Sequence, residues 1–302
     1  MSEARSQNER IATRLGRALR ELDKEFAHTA ERVRHKADDE ALHDMRVAIR
    51  KIRVLLKIGR TVYGRFLADS VRNEFTVLHR STSALRDEEV LEETFGTLEI
   101  DAPDFIEWRE KRKARRKSLH AQAIKLTNPA RIQKARALLL ALLVLPVKRG
   151  RNLNVSKFAK GARTRARRTV EERSKATVDD AEALHALRIA EKGLRYAIDP
   201  FLDVLAEDAT LEEEHAAKCQ KRLGEIHDLD VARLIVERAR TLSPRTREAV
   251  LLRLAERRSQ TVQKWLALGP IYGLSIDNNI DLLVPSTVEG VPEEGASPLA
   301  PR

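Results

Sequence analysis

Apolar residues recur at three- and four-residue spacings along almost the whole chain, and strict alternation over five or more residues is nearly absent. That is the period of helices with one buried face, not of half-buried strands. The spacing predicts helices over 5–36, 40–60, 65–85, 88–96, 104–126, 130–146, 156–176, 180–206, 209–226, 229–241 and 244–268. Breaks are expected at Ala102-Pro103, Asn128-Pro129, Pro146, Gly150 and Ser243-Pro244. Asp38-Asp39 and Asp179-Asp180 each precede a helix and suit N-caps. After Ile276 the chain collects Pro285, Gly290, Pro292, Gly295, Pro298 and Pro301, so a disordered tail is expected over 276–302.

The pattern also repeats. Residues 41–59, ALHDMRVAIRKIRVLLKIG, align with 183–201, ALHALRIAEKGLRYAIDPF, at an offset of 142. LRDEEV at 85–90 aligns with IHDLDV at 226–231 at an offset of 141. Two landmarks at nearly one offset point to an internal duplication. The expected organisation is an all-α body of two similar helical halves, 1–147 and 148–275, packed pseudo-symmetrically, followed by the tail.

Within the first copy His43, Arg46, Arg50, Arg53 and Lys57 step by three and four residues. At 100° per residue they share an arc of about 80° over about 21 Å of helix. His185, Arg188, Lys192 and Arg195 repeat the stripe, and Asp199 replaces the lysine. Apolar residues flank the first stripe on both sides, with Leu42, Met45, Ile49 and Leu56 on one and Val47, Val54 and Ile58 on the other. Asp44 and Lys51 form a separate polar arc. A helix with two polar arcs divided by apolar surface fits one arc facing water and the other an internal polar channel. Like charges at these spacings repel by roughly 0.2–0.5 kcal/mol per pair, and a bound anion relieves that repulsion.

Charge and composition sharpen this picture. Lys and Arg number 57 against 46 Asp and Glu, for a net charge of +11. The tail holds five acids and one base, so the body is more basic still and suits polyanionic partners: nucleic acid, anionic lipid or a phosphate polymer. Seven Phe, three Tyr and two Trp leave few rings for base stacking or for a β-sandwich. A single cysteine, Cys219, excludes an intrachain disulfide framework and a cysteine-based zinc site. The N-terminal MSEARSQNERIATRLGRAL has no apolar signal core, and the longest apolar run, Ala137–Leu145, is about half a membrane span. No transmembrane segment is expected, and the chain reads as cytoplasmic. No Gly-rich phosphate loop, HExxH or nucleophile elbow is present, so any phosphate contacts must come from side chains, mainly Arg, whose planar fork suits phosphate oxygens.

The LHxxR(V/I)xxxxxxR pattern at 42–53 and again at 184–195, with (L/I)xDxxV at 85–90 and 226–231, resembles the conserved histidine α-helical domain, the CHAD family. The resemblance covers both halves and suggests a stand-alone member, without the triphosphate-tunnel catalytic domain that some relatives carry in front. It implies two four-helix-bundle halves around a basic central cavity that binds inorganic polyphosphate, with no catalysis or cofactor of its own. It further implies association with polyphosphate or polyhydroxyalkanoate granules. The alternatives are a nucleic-acid-binding basic helical protein and a granule scaffold or coat protein. An enzyme acting on polyphosphate through Mg²⁺ at Asp87 with Glu89, or Asp228 with Asp230, is the least favoured reading. Two departures stand out: Thr82-Ser83 occupies the place of Leu223-Gly224, and Glu191 sets an acid beside the second stripe.

Further candidates for the same cavity are Arg163 and Arg167, with Lys160 one turn earlier, and Lys218, Lys221 and Arg222. Each reads equally well as solvated surface. The run Lys111–Lys117, KRKARRK, is either an outer polyanion patch or a solvated face. Asp87 and Asp228 are expected to cap the helices that follow them or to pair with stripe arginines. His43 and His185 have no second ligand at i+3 or i+4 and are expected to face phosphate or pack in the wall, not to bind metal. Cys219 is expected to be an inert buried thiol with no histidine nearby.

Overall fold

A computed structural model describes residues 10–35, 40–145 and 153–269; the expected tail and the Asp38-Asp39 cap lie outside the described residues. Among the described residues there are eleven α-helices and no strand, apart from one isolated bridge between Arg10 and Asn154. In chain order they are α1 (Ile11–His35), α2 (Ala41–Ile58), α3 (Arg60–Tyr63), α4 (Arg65–Ser81), α5 (Ser83–Gly96), α6 (Pro103–Leu126), α7 (Pro129–Val144), α8 (Val155–Arg173), α9 (Ala181–Ile198), α10 (Asp208–Glu237) and α11 (Pro244–Leu266). A 3₁₀ helix, Asp199–Val204, follows α9.

Several boundaries follow the predicted chemistry. Asp180 accepts from the Ala183 N–H at 2.8 Å, and Asn128 and Ser243 cap α7 and α11 in the same way, each just before a proline. Other boundaries differ. The chain breaks between α4 and α5 at the buried Thr82, not after Leu85, and the expected break near 227 is absent. Leu223, Ile226, Leu229, Ala232 and Val236 form an unbroken buried stripe that holds α10 as one helix through that point. Asp87 and Asp228 therefore sit inside α5 and α10 and cap neither, which corrects the capping assignment. The helix expected to run to 206 ends at Ile198, because Pro200 cannot donate to its i−4 carbonyl.

The core has three parts. The largest joins α1, α2, α3, α4 and α7 with Val155, Phe158 and Ala159 of α8 and Phe201 and Val204 of the 3₁₀ helix. A second lies among α8, α9, α10 and α11. In the third, Phe95, Phe105 and Trp108 of α5 and α6 pack with Val236, Val250 and Leu254 of α10 and α11. Apolar packing thus crosses residue 147 in two places. The basic run on α6 is drawn into this framework: Arg112 meets the buried Glu88 at 2.8 Å and lies over the Trp108 ring, and Arg116 meets Glu92 at 2.9 Å. Lys111, Arg115 and Lys117 remain exposed. Among the described residues no helix is long and apolar enough to cross a membrane.

Candidate functional site

The two helices that carry the repeated pattern pack against each other. α2 lies between α1 and α4, α9 lies between α8 and α10, and α2 and α9 meet. Their meeting brings Arg46, Arg50 and Arg53 together with Arg188 and Lys192. Among the described residues none of these five cations has a carboxylate within ion-pair distance.

Arg46 is buried, and its Nη1 donates to the His79 carbonyl at 3.0 Å and to Thr82 Oγ1 at 2.6 Å. The break at Thr82 thus supplies acceptors that hold a stripe arginine. In the second copy the helix runs on, and Arg188 packs beside Gly224, where a Cβ would make ordinary contact with Arg188 Nε at 3.7 Å. Arg50 Nη1 donates to the Tyr196 hydroxyl at 3.4 Å. The buried Nε groups of Arg50 and Arg53, and Nδ1 of His185, have no hydrogen-bond partner. Leaving such groups unmatched costs on the order of 1–3 kcal/mol each.

The electrostatics agree with the geometry. Burial first, then the charges of Arg50, Arg188, Arg53 and Arg46, pull the Lys192 ammonium down to about 7. Burial and Arg50 lower Arg46 to about 10. Arg53 and Arg188 are lowered chiefly by burial; Arg72 adds to the effect at Arg53, and Asp228 opposes it at Arg188. His79, on α4, is held down to about 3 by burial and by Arg46, Arg53, Arg50 and Lys192. His185 is lowered by burial, Arg188 and Lys192, and its ring lies 4.4 Å from that of His227, which burial and His185 lower to about 4. Burial pushes Asp228 up to about 6 against the pull of Arg188. Positive charge is thus concentrated here at the expense of protonation.

The other expected site residues lie elsewhere or are engaged. His43 and Lys57 are exposed at the two ends of the first stripe. Arg195 Nε is bound to Glu213 at 2.7 Å. Arg163 is bound to Asp208 at 2.7 Å and to the buried Glu212, and Arg167 reaches Glu212 at 3.3 Å. Lys218 and Lys221 are exposed, and Arg222 pairs with Glu225 one turn along α10. Cys219 is buried, and burial lifts its thiol to about 12. His215 Nε2 stands 3.3 Å from the sulfur, at i−4, which corrects the expectation of no nearby histidine. Among the described residues no group of three His, Cys, Asp or Glu could hold a metal ion.

The Arg163 arrangement gives a test that separates scaffold from site. Arg163→Leu leaves Glu212, 1% exposed, with only the longer Arg167 contact. Urea denaturation is expected to show a loss of about 2–4 kcal/mol, with anion affinity changed by less than about twofold, since Arg163 is committed to these acids.

Sequence reasoning did not find His79, Thr82, Tyr196 and His227. His227 had a signal, because it precedes Asp228 as Arg86 precedes Asp87. His79 aligns with Gln220, so the repeat hides it.

Fold and site together define an all-α helical protein in which two helices that carry one repeated sequence pattern hold a cluster of like charges, with no carboxylate within ion-pair distance among the described residues. The chain belongs to the CHAD domain family, whose sequence model matches residues 7–237. Two solved structures share the fold. The CHAD domain from the plant Ricinus communis has 21% identity and a TM-score of 0.63, over 87% of this chain and 90% of that one. PptA from Streptomyces chartreusis has 16% identity and a TM-score of 0.66, over 86% of this chain and 99% of that one. No curated protein sequence matches this chain significantly.

Proposed function

We propose that this protein binds inorganic polyphosphate between α2 and α9, in a basic cavity enclosed by its two helical halves. In this reading it is a polyphosphate-targeting or granule-associated module with no catalysis of its own. The observation that carries the reading is the convergence of Arg46, Arg50, Arg53, Arg188 and Lys192 with no carboxylate within ion-pair distance among the described residues, together with the orphaned Arg50 and Arg53 Nε donors. A phosphate polymer offers only acceptors and negative charge, repeated at short intervals. It would satisfy those donors with charge-assisted hydrogen bonds and relieve the repulsion among the guanidinium groups. Family membership supports the same reading.

The test is titration with polyphosphates of graded length at one fixed salt concentration, with duplex DNA of matched charge as competitor. Polyphosphate is expected to displace DNA, and no phosphate should be released with or without Mg²⁺. DNA binding as tight as polyphosphate binding would leave a nonspecific basic surface.

A further inference from the structure

A cleft of about 200 Å³ opens between α1, α2 and the end of α9. Ala18 and Leu22 of α1 and Val54 and Leu55 of α2 give it an aliphatic floor, and the buried Tyr196 closes one side. The neighbouring 3₁₀ helix is tied to α1, because Arg14 Nη2 donates to the Pro200 carbonyl at 3.2 Å and bonds Asp203. The cleft is therefore framed by pinned elements.

Two opposite charges line it, Lys51 and Asp199. Among the described residues neither has an ion-pair partner. Asp199 is exposed, and its charge acts on Arg195 one turn before it, but the Arg195 Nε is held by Glu213. An apolar floor flanked by one unpaired cation and one unpaired anion selects a narrow class of ligand. A hydrocarbon would leave both charges unused. A dicarboxylate or a nucleotide would bring surplus negative charge against Asp199.

We propose that this cleft binds a free α-amino acid with an aliphatic side chain. Its carboxylate meets Lys51, its ammonium meets Asp199, and its side chain lies on Ala18, Leu22, Val54 and Leu55. The cleft shares Tyr196 with the polyanion stripe, since its hydroxyl accepts from Arg50, but its charged groups are different and its test uses no polyphosphate.

Calorimetry on the full chain with L-leucine, leucinamide and N-acetyl-leucine isolates each contact. L-leucine is expected to bind, with each blocked analogue at least about tenfold weaker, as loss of one charge-assisted contact implies. Lys51→Gln should bind L-leucine and leucinamide alike, and Asp199→Asn should bind L-leucine and N-acetyl-leucine alike. Val54→Phe, which fills the floor, should lose binding while circular dichroism melting confirms its fold. No binding of leucine, isoleucine or valine at millimolar concentration, or equal binding of all three leucine compounds by the unaltered protein, overturns the proposal.

Discussion

Changing Arg46, Arg50 and Arg53 together to Gln is expected to weaken polyphosphate binding by about 100-fold or more. Changing the exposed Lys111, Arg115 and Lys117 to Gln should weaken it by less than about fivefold. Both variants lose three positive charges, so long-range attraction falls equally in each. The difference measures contact. Arg50 and Arg53 hold buried N–H groups with no partner, and close charge-assisted bonds are about twice as strong as neutral ones. Truncating one side of a close charged pair typically costs about 2–5 kcal/mol, and these bonds add only where a ligand sits among them. Arg112 is left unchanged in the control because it holds the buried Glu88 at 2.8 Å, so that Glu88 keeps a partner when Arg115, 3.7 Å away, is changed. The matching change at Arg188, Lys192 and Arg195 should cost about tenfold, since Arg195 is already engaged by Glu213. Affinities measured at one ionic strength check all three. Equal losses from the stripe and the α6 variants would end the contact model.

Much of this was legible in the sequence, for a physical reason. Helix periodicity and the offset repeat depend only on local spacing, so α2 and α9 were evident, and with them the stripe residues Arg46, Arg50, Arg53, Arg188 and Lys192. What escaped depended on tertiary partners. Helix spacing does not tell whether Arg163 and Arg195 are free, because their partners Glu212 and Glu213 lie on another helix, α10, 49 and 18 residues further along the chain. Thr82 looked like a departure from the second copy. It serves to end α4 and to accept from Arg46, a role that a continuous helix at Leu223-Gly224 does not provide. Asp228 has the chemistry of a cap, but the apolar stripe that runs through it is buried, and that burial keeps α10 continuous at 227.

Polyphosphate affinity is expected to fall as pH rises above about 7, by up to about tenfold per pH unit, and Lys192→Arg should flatten that profile. In the free protein, burial and four neighbouring cations hold Lys192 at about 7. A bound polyanion stabilises the ammonium and returns it toward the ordinary lysine range. Binding above pH 7 therefore takes up a proton, and one pKa unit corresponds to about 1.4 kcal/mol. Below pH 7 Lys192 is already charged and contributes no further slope. Asp228, at about 6, acts in the same direction, since its protonation removes a negative charge that faces Arg188. The histidines His79 and His227 lie too low, at about 3 and 4, to titrate in this window without ligand. Stability of the free protein has the opposite sign of pH dependence. A lysine depressed on folding destabilises the folded state fully below pH 7, and the penalty disappears as pH rises toward the unfolded value near 10.5. Lys192→Met should therefore raise the melting temperature of the free protein, most at pH 6, by the equivalent of on the order of 3 kcal/mol. The same variant should bind polyphosphate more weakly at every pH. Calorimetric titration from pH 6 to 9 and melting curves without ligand measure the two effects separately. A Lys192→Arg protein that keeps the slope of the unaltered chain would move its origin to another group.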